Sequence, residues 1–380
     1  LLVRHHHEKI YHQGRHLTEG AIRSEGLWIT GGKRLVSSII HHCVTCRKMR
    51  GKPLNQKMAD LPKDRLTKSP PFTFVGVDVF GPWTIITRRT RGGSAHSKRW
   101  AVLFTCLYSR AVHIEVIEEM TSSSFINAMR RFIAMRGAVS EFRSDRGTNF
   151  VGAASELNMN IVNVEDSRMR AFLEDKRIVW KFNPPHASHF GGSWERMIGI
   201  ARRILDAMLM DTKHGKLTHE VLTTFMAEVM AIMNSRPLVP VSSDVEAPFI
   251  LSPQMLLTQK TQEVPTEFKD LDVKDMYRSQ WKMVQVMANT FWKRWKSEFL
   301  STLQPRQKWL VSTDNLKEGD VVLLHDKESA RTDWPVGVVN RIFPSNSDGL
   351  VRKIEVRILK DGKPCLYIRP ATEVISLLTV

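Results

Sequence analysis

Four residues near the start of the chain have the types and spacing to grip a soft divalent ion. His7 and His12 are separated by four residues, and Cys43 and Cys46 follow as C-x-x-C. Two imidazoles and two thiolates make a tetrahedral donor set suited to Zn2+, with each pair close enough in sequence to hold the ion locally. An ion there would do structural work. A unit of about 50 residues buries little core, and about 10–16 kcal/mol of zinc-binding free energy becomes folding free energy. His5, His6, His41 and His42 also stand close by. His7 is preferred because it and His12 fall near one another on a helical turn and the next.

A second set is made of carboxylates. The chain has 39 acidic residues, so only context singles any out. Asp78 lies in a strand-like run and is followed by Gly81-Pro82, a D-x-x-G-P pattern. Asp145 sits in Ser144-Asp-Arg-Gly-Thr-Asn-Phe150 just past a short predicted strand, where Gly147 permits a close backbone turn. Glu195 opens a predicted helix after Pro185-His-Ala-Ser-His-Phe-Gly-Gly-Ser-Trp194. Mg2+ takes hard oxygen ligands, typically a few carboxylates with water and phosphate. Two such ions about 3.5–4 Å apart can activate an attacking oxygen and stabilise a leaving one during phosphoryl transfer. That chemistry needs no Ser-His-Asp triad and no Gly-rich phosphate loop, and neither is evident. His186 and His189 flank Glu195 by sequence and read as loop residues.

These groups need a scaffold, and the composition provides for one. The chain has 380 residues, 42% of them hydrophobic and 25% charged, enough to bury real cores in two or three domains. Its best apolar run, Val221 to Met233, contains Glu228 and falls short of the roughly 20 residues of a membrane span. No secretory h-region follows Leu1. Four cysteines do not make a disulfide scaffold. The absence of an initiator Met suggests a piece cut from something longer. Lys and Arg outnumber Asp and Glu 56 to 39, a net charge of +17, which suggests a polyanionic partner with nucleic acid first.

The pattern predicts five segments: a zinc-binding module over 1–52, a Pro-marked linker over 53–70, a core over 71–240, a connection over 241–310, and a terminal domain over 311–380. In the core, three antiparallel strands are expected at Phe74–Phe80, Trp100–Leu107 and Ala111–Ile117, the first ending at Gly81-Pro82. A helix follows over Ser122–Met135, then short strands at Glu141–Ser144 and Ile178–Phe182. Amphipathic helices are marked by Trp194 to Met208 and by Leu217 to Met233. The order implies a mixed α/β sheet with helices packed on it. A long helix is expected over about 273–303. Its seam of Tyr277, Trp281, Val284, Ala288, Phe291, Trp295 and Phe299 is close to a heptad, which favours burial or self-association over DNA contact. Five short strands after Asp320 suggest a small β-barrel-like domain.

Taken together, these motifs resemble the integrase region of a retroelement polyprotein, specifically the BEL/Pao type of LTR retrotransposon. The resemblance rests on the H-H-C-C module, D-x-x-G-P, S-D-x-G-T-N-F, a Pro…Gly-x-x-Glu motif, Phe291-Trp-Lys-Arg-Trp-Lys-Ser-Glu-Phe-Leu300, and the ending with Leu316-Lys-Glu-Gly-Asp-Val-Val-Leu323 and Arg369-Pro370. It covers essentially the whole chain. It implies a ribonuclease-H-like core that trims DNA ends and joins them to target DNA, with Asp78, Asp145 and Glu195 as the catalytic triad holding Mg2+ or Mn2+. His7, His12, Cys43 and Cys46 would hold Zn2+.

Two features depart from the retroviral pattern. Forty-nine residues separate Asp145 from Glu195, and the customary shorter spacing would land on Lys181, which holds no metal. Pro185 and Gly192 keep their offsets from Glu195, so the surplus is assigned to a longer connection around Asn158–Asp175. Ser188 replaces a proline common in such motifs. On the helix of Glu195, Gly199 leaves room for a phosphodiester, and Arg202, with Arg203 beside it, is a candidate DNA contact. The expected partners are DNA and further copies of the chain, not a membrane, and the nucleus is the expected place of action because chromosomal DNA is the target. A plain nuclease, or a silent relic that binds DNA or protein without catalysis, remains an alternative.

Overall fold

The computed structural model describes residues 1–50, 66–90, 93–144, 167–182, 192–211, 217–240, 250–260, 279–303, 315–325, 329, 331–360 and 363–378. It divides into two compact units, Leu1–Leu61 and Pro62–Val380.

The first unit is helical: α1 (Leu2–Lys9), α2 (Arg15–Ser24), α3 (Gly32–His42) and α4 (Val44–Arg50). Among the described residues its apolar core is three buried side chains, Val3, Ile22 and Val36, ringed by Ile29, Ile39 and Ile40. At roughly 1.5–3 kcal/mol for each buried aliphatic side chain, this offsets only a small part of the ordering cost of four helices. Between α1 and α2 the chain reverses through Tyr11 and His12, both in the left-handed region (φ 54° and 61°), where non-glycine residues are uncommon. The His12 N–H closes that turn by donating to His7 O at 3.0 Å.

The second unit is built on a five-stranded mixed sheet. Its strands are β1 (Phe74–Thr90), β2 (Gly93–Cys106), β3 (Val112–Ile117), β4 (Glu141–Ser144) and β5 (Val179–Phe182), in spatial order β3-β2-β1-β4-β5. β2 runs antiparallel to β1 and β3, whereas β4 is parallel to both β1 and β5. Alternation along β1 assigns its two faces. Val75, Val77 and Val79 meet α5 (Ser122–Arg136) and α6 (Ser167–Asp175) through Phe125, Phe132 and Phe172. Phe74 and Phe80 turn to the other face, covered by α7 (Gly192–Asp211), α8 (His219–Asn234) and α10 (Gln280–Leu303). Between the last two lie short strands β6 (Val239–Pro240) and β7 (Ile250–Leu251) and the short helix α9 (Pro253–Thr258).

One expectation is revised, one that allowed burial or self-association is decided for burial, and one is made more specific. β1 does not end at Gly81-Pro82. A register shift between Phe80 and Trp83 absorbs the pair, and the strand continues to Thr90 as one arm of a long hairpin with β2. Gly81 (φ 111°) is required there, since a Cβ would lie 3.1 Å from Arg99 O. The near-heptad seam of α10 is buried within the chain: Val284, Ala288, Phe291 and Trp295 pack with α7 and α8, while Trp281 is half exposed and Tyr277 lies outside the described residues. Finally, the last five strands form an antiparallel sheet in the order β11-β10-β9-β8-β12. They are β8 (Val321–Leu324), β9 (Val336–Pro344), β10 (Val351–Lys360), β11 (Lys363–Pro370) and β12 (Val374–Leu378). Among the described residues no pairing of β11 with β12 closes it into a barrel.

α10 belongs to both halves of this unit. One face fills the core beneath the mixed sheet, while Trp292 and Phe299 meet Trp334 edge-on, and Leu300 packs with Leu323 and Ile375 of the terminal sheet.

Candidate functional site

In the helical unit, His7, His12, Cys43 and Cys46 converge so that their ligand atoms all lie within 4.8 Å of one another. His12 Nδ1 is 2.9 Å from His7 Nε2 and 3.3 Å from Cys43 Sγ, and Cys46 Sγ is 3.2 Å from His7 Nε2. α1 contributes His7, the left-handed turn returns His12 to it, Cys43 lies at the α3–α4 junction and Cys46 in the first turn of α4. Burial, reinforced by the neighbouring His12, holds His7 below its ordinary imidazole pKa and so favours the neutral, lone-pair-bearing form. A hydrogen bond from the Cys46 backbone lowers the Cys43 thiol, whereas burial raises that of Cys46.

Thr18 completes this arrangement and carries no sequence signal of its own. His7 Nδ1 lies 3.3 Å from Thr18 Oγ1, and that hydroxyl donates to Gly14 O at 2.7 Å. Such a support fixes the tautomer that leaves Nε2 facing the cluster. The neighbouring histidines have other surroundings. His6 is buried 3.4 Å from Glu25, His5 stacks edge-on against it, and His42 Nδ1 faces Ser38 O at 2.8 Å.

In the mixed sheet, Asp78 lies on the central strand opposite Leu103. It shares the parity of Phe74 and Phe80, and therefore the face covered by α7 and α8. Its Oδ1 accepts the Val79 N–H at 2.9 Å. β4, parallel to β1, ends at Ser144, and Asp145 itself lies outside the described residues, as do Gly147, Pro185, His186, Ser188 and His189. The backbone of Glu195 lies in the first turn of α7; its side chain is outside what is described.

Farther along α7, Gly199 has nothing within 4 Å of where a Cβ would stand. Arg202 is half-buried, and the exposed Arg203 is paired with Glu298 of α10 at 3.0 Å. α7 is tied to the central strand by Trp83 Nε1, which donates to Asp206 Oδ1 at 3.1 Å. Lys181 is bound to the buried Glu141 at 2.6 Å, beside Arg143 at 2.7 Å.

No described helix is long and apolar enough to cross a membrane. Two family models match the chain. The integrase core domain matches residues 75–188, and a family of unknown function, DUF5641, matches residues 279–377. The second span coincides with α10 and the terminal sheet. No curated protein matches. Among solved structures, an intasome of simian T-cell lymphotropic virus in complex with the PP2A regulatory subunit B56 gamma is similar at 12% identity and a TM-score of 0.34, covering 100% of this chain and 99% of that one. The HTLV-2 integrase catalytic core domain in complex with magnesium, in its dimeric form, is similar at 17% identity and a TM-score of 0.28, covering 43% and 88%. Residues 75–188 thus match an integrase core domain, and the five-stranded mixed sheet they contribute to is consistent with a ribonuclease-H-like core.

Proposed function

We propose that the chain is the integrase of a BEL/Pao-type LTR retrotransposon, a metal-dependent polynucleotidyl transferase that trims element DNA ends and joins them to target DNA. The observation that carries this reading is the integrase core match over a sheet whose central strand bears Asp78 on the helix-covered face. Asp78, Asp145 and Glu195 are the proposed ligands for Mg2+ or Mn2+, and an oxygen donor at Asp78 fits a hard cation. Bound there, the ions would lower the cost of charge on the attacking and leaving oxygens.

The Trp83–Asp206 hydrogen bond supports pairing Asp78 with Glu195. Asp78 precedes Trp83 by five residues, about 16 Å of strand. Position 195 precedes Asp206 by eleven residues, about 16 Å of helix and close to three whole turns. A helix running in the direction of the strand would bring the backbone of residue 195 to roughly the level of Asp78. Open space over Gly199 suits a phosphodiester next to them, and Arg202, one further turn along, is the proposed phosphate contact. Arg203 is a weaker candidate because Glu298 already engages it.

The His/Cys cluster is proposed to hold structural Zn2+. Two nitrogens and two sulfurs at mutual contact suit its tetrahedral preference, and the slender core around Val3, Ile22 and Val36 gives the ion a folding role. Action in the nucleus, on chromosomal DNA and as a multimer that brings two DNA ends together, completes the proposal.

The test is Mg2+- or Mn2+-dependent rejoining of a branched oligonucleotide that mimics the joined product. Wild type should rejoin it, and Asp78→Asn and Asp145→Asn should not while keeping their fold. Residual metal-dependent joining in Asp145→Asn would refute the metal assignment. Silence from a folded, zinc-loaded wild type would favour a DNA-binding relic.

A further inference from the structure

The β1–β2 hairpin outruns the sheet to which it belongs. β4 pairs with β1 only over Phe74–Gly76, and β3 pairs with β2 only over Trp100–Thr105, whereas β1 and β2 stay paired to Thr90 and Gly93. The base of this ribbon is anchored. Trp83, Ile85 and Ile86 are buried, and Ile86 N–H donates to Leu217 O at 2.8 Å. Beyond Ile86 the two strands continue for about four residues each, or about 13 Å, braced by Thr87 Oγ1 donating to Ala95 O at 3.1 Å. Thr87, Ala95, His96 and Lys98 are exposed.

The charges in the sequence of this ribbon are all of one sign. No acidic residue occurs between Asp78 and Glu115, a stretch that contains Arg88, Arg89, Arg91 and Lys98. Arg99 is engaged elsewhere, by Ser97, His219 and Glu118. The exposed residues described on the ribbon are polar or small, with no large apolar anchor of the kind that dominates protein–protein interfaces. A two-stranded ribbon is narrow enough for the major groove of B-DNA, about 12 Å wide, and its cations complement the phosphates that line that groove.

We infer that this ribbon is a duplex-DNA arm that enters the major groove, with Arg88, Arg89 and Lys98 as its phosphate contacts. The choice of duplex DNA as partner rests on the joining function proposed above.

The full chain, zinc-loaded and without Mg2+ or Mn2+, is titrated onto a fluorescent duplex over a series of salt concentrations. Arg88→Ala/Arg89→Ala/Lys98→Ala should bind at least tenfold more weakly at fixed salt. Its slope of log K against log salt should be shallower by about 2–3, since each lost phosphate contact removes about 0.9. Replacing Thr87–Ala95 by Asn-Gly, which closes the ribbon at the Ile86–His96 pair, should do the same without touching the core. A control that removes three exposed cations elsewhere, Arg130→Ala/Arg177→Ala/Lys293→Ala, should keep the wild-type slope. Unchanged affinity and slope in both arm variants would overturn the inference, as would an equal loss in the control. A fall in molecular mass with DNA binding intact would also overturn it, reassigning the arm to contact between copies. Because binding is read without catalytic metal, a wild type that fails to join but shows the arm effect sinks only the catalytic proposal. A joining wild type with no arm effect sinks only the arm.

Discussion

Trp83 donates its indole N–H to Asp206 over 3.1 Å, and this bond joins the strand that carries Asp78 to the helix that carries Glu195. Trp83→Phe keeps most of the buried ring and removes the donor, so the stability loss should be modest, about 1 kcal/mol. Metal-dependent joining should fall about tenfold, since small misplacements of reacting groups are costly. Asp206→Asn retains an acceptor oxygen and should stay near wild type. Melting temperature and joining rate measured side by side decide it, and equal joining by Trp83→Phe and wild type would sink the positioning role.

The His/Cys cluster should bind one Zn2+ per chain, and a strong chelator should melt the Leu1–Leu61 unit while the larger unit keeps its transition. Thr18→Val leaves all four ligands in place but takes the acceptor from His7 Nδ1, and zinc affinity should drop about 10–100-fold. The sign of the pH effect follows from the thiols. Both must lose a proton to bind, and burial makes Cys46 harder to deprotonate, so affinity falls as pH falls. Competition against a chromophoric chelator at two pH values reads both effects. A Thr18→Val affinity equal to wild type would remove Thr18 from the site.

Much of this architecture is legible from period and punctuation. The helices at 122, 192 and 219 and the short strands at 141 and 179 follow apolar spacing, because each buries one face on a single sheet. Gly81-Pro82 misleads because such a pair normally ends a strand, and only the β2 partner reveals a bulge that lets β1 continue. The clustering of His7 with Cys43 across 36 residues is legible from ligand type alone. Thr18 is not, and neither is Asn234, whose side-chain amide accepts from Val112 N and donates to Val112 O at 2.8 Å each. An amide that caps a strand edge 122 residues away has no local pattern to betray it.

Glu115 should set an acid limit on the stability of the core. Burial alone would raise its pKa, but hydrogen bonds from His113 at 2.9 Å and Arg131 at 2.6 Å outweigh burial and leave it below the ordinary glutamate value of 4.5. A carboxyl with a depressed folded-state pKa contributes stability that is present above its unfolded value and lost as pH drops through the folded one. Glu115→Gln should therefore lower the melting temperature at pH 7 and flatten its decline below pH 4.5. Parallel curves for the two proteins across that range would show that other carboxylates control the acid limb.

The last prediction concerns the seam between α8, which follows the integrase core match, and the segment matched by the family of unknown function. Arg331, almost fully buried, lies 3.5 Å from Glu228 of α8 and donates to Gln285 of α10 at 2.9 Å; Gln285 in turn donates to Glu228 at 3.2 Å. Gln285 and Arg331 belong to the span of the family of unknown function, whereas Glu228 belongs to the body of the core, so this triangle is a charged contact across the junction. Removing one partner of a buried pair strands the other, at a cost of about 3–5 kcal/mol. Glu228→Gln should approach that figure because Arg331 has no route to water. Arg331→Met should cost less, because Glu228 keeps partial exposure and can rehydrate. The double variant should lose clearly less than the sum of the two single losses, as coupled partners do. Denaturant unfolding should also change form. Trp292, Trp334 and Phe299 and the triangle together make α10 a shared element, so core and terminal sheet should unfold in one transition in the wild type and in two once Glu228→Gln loosens the seam. Additive single losses with one unbroken transition would mean that the aromatic contacts alone hold the junction.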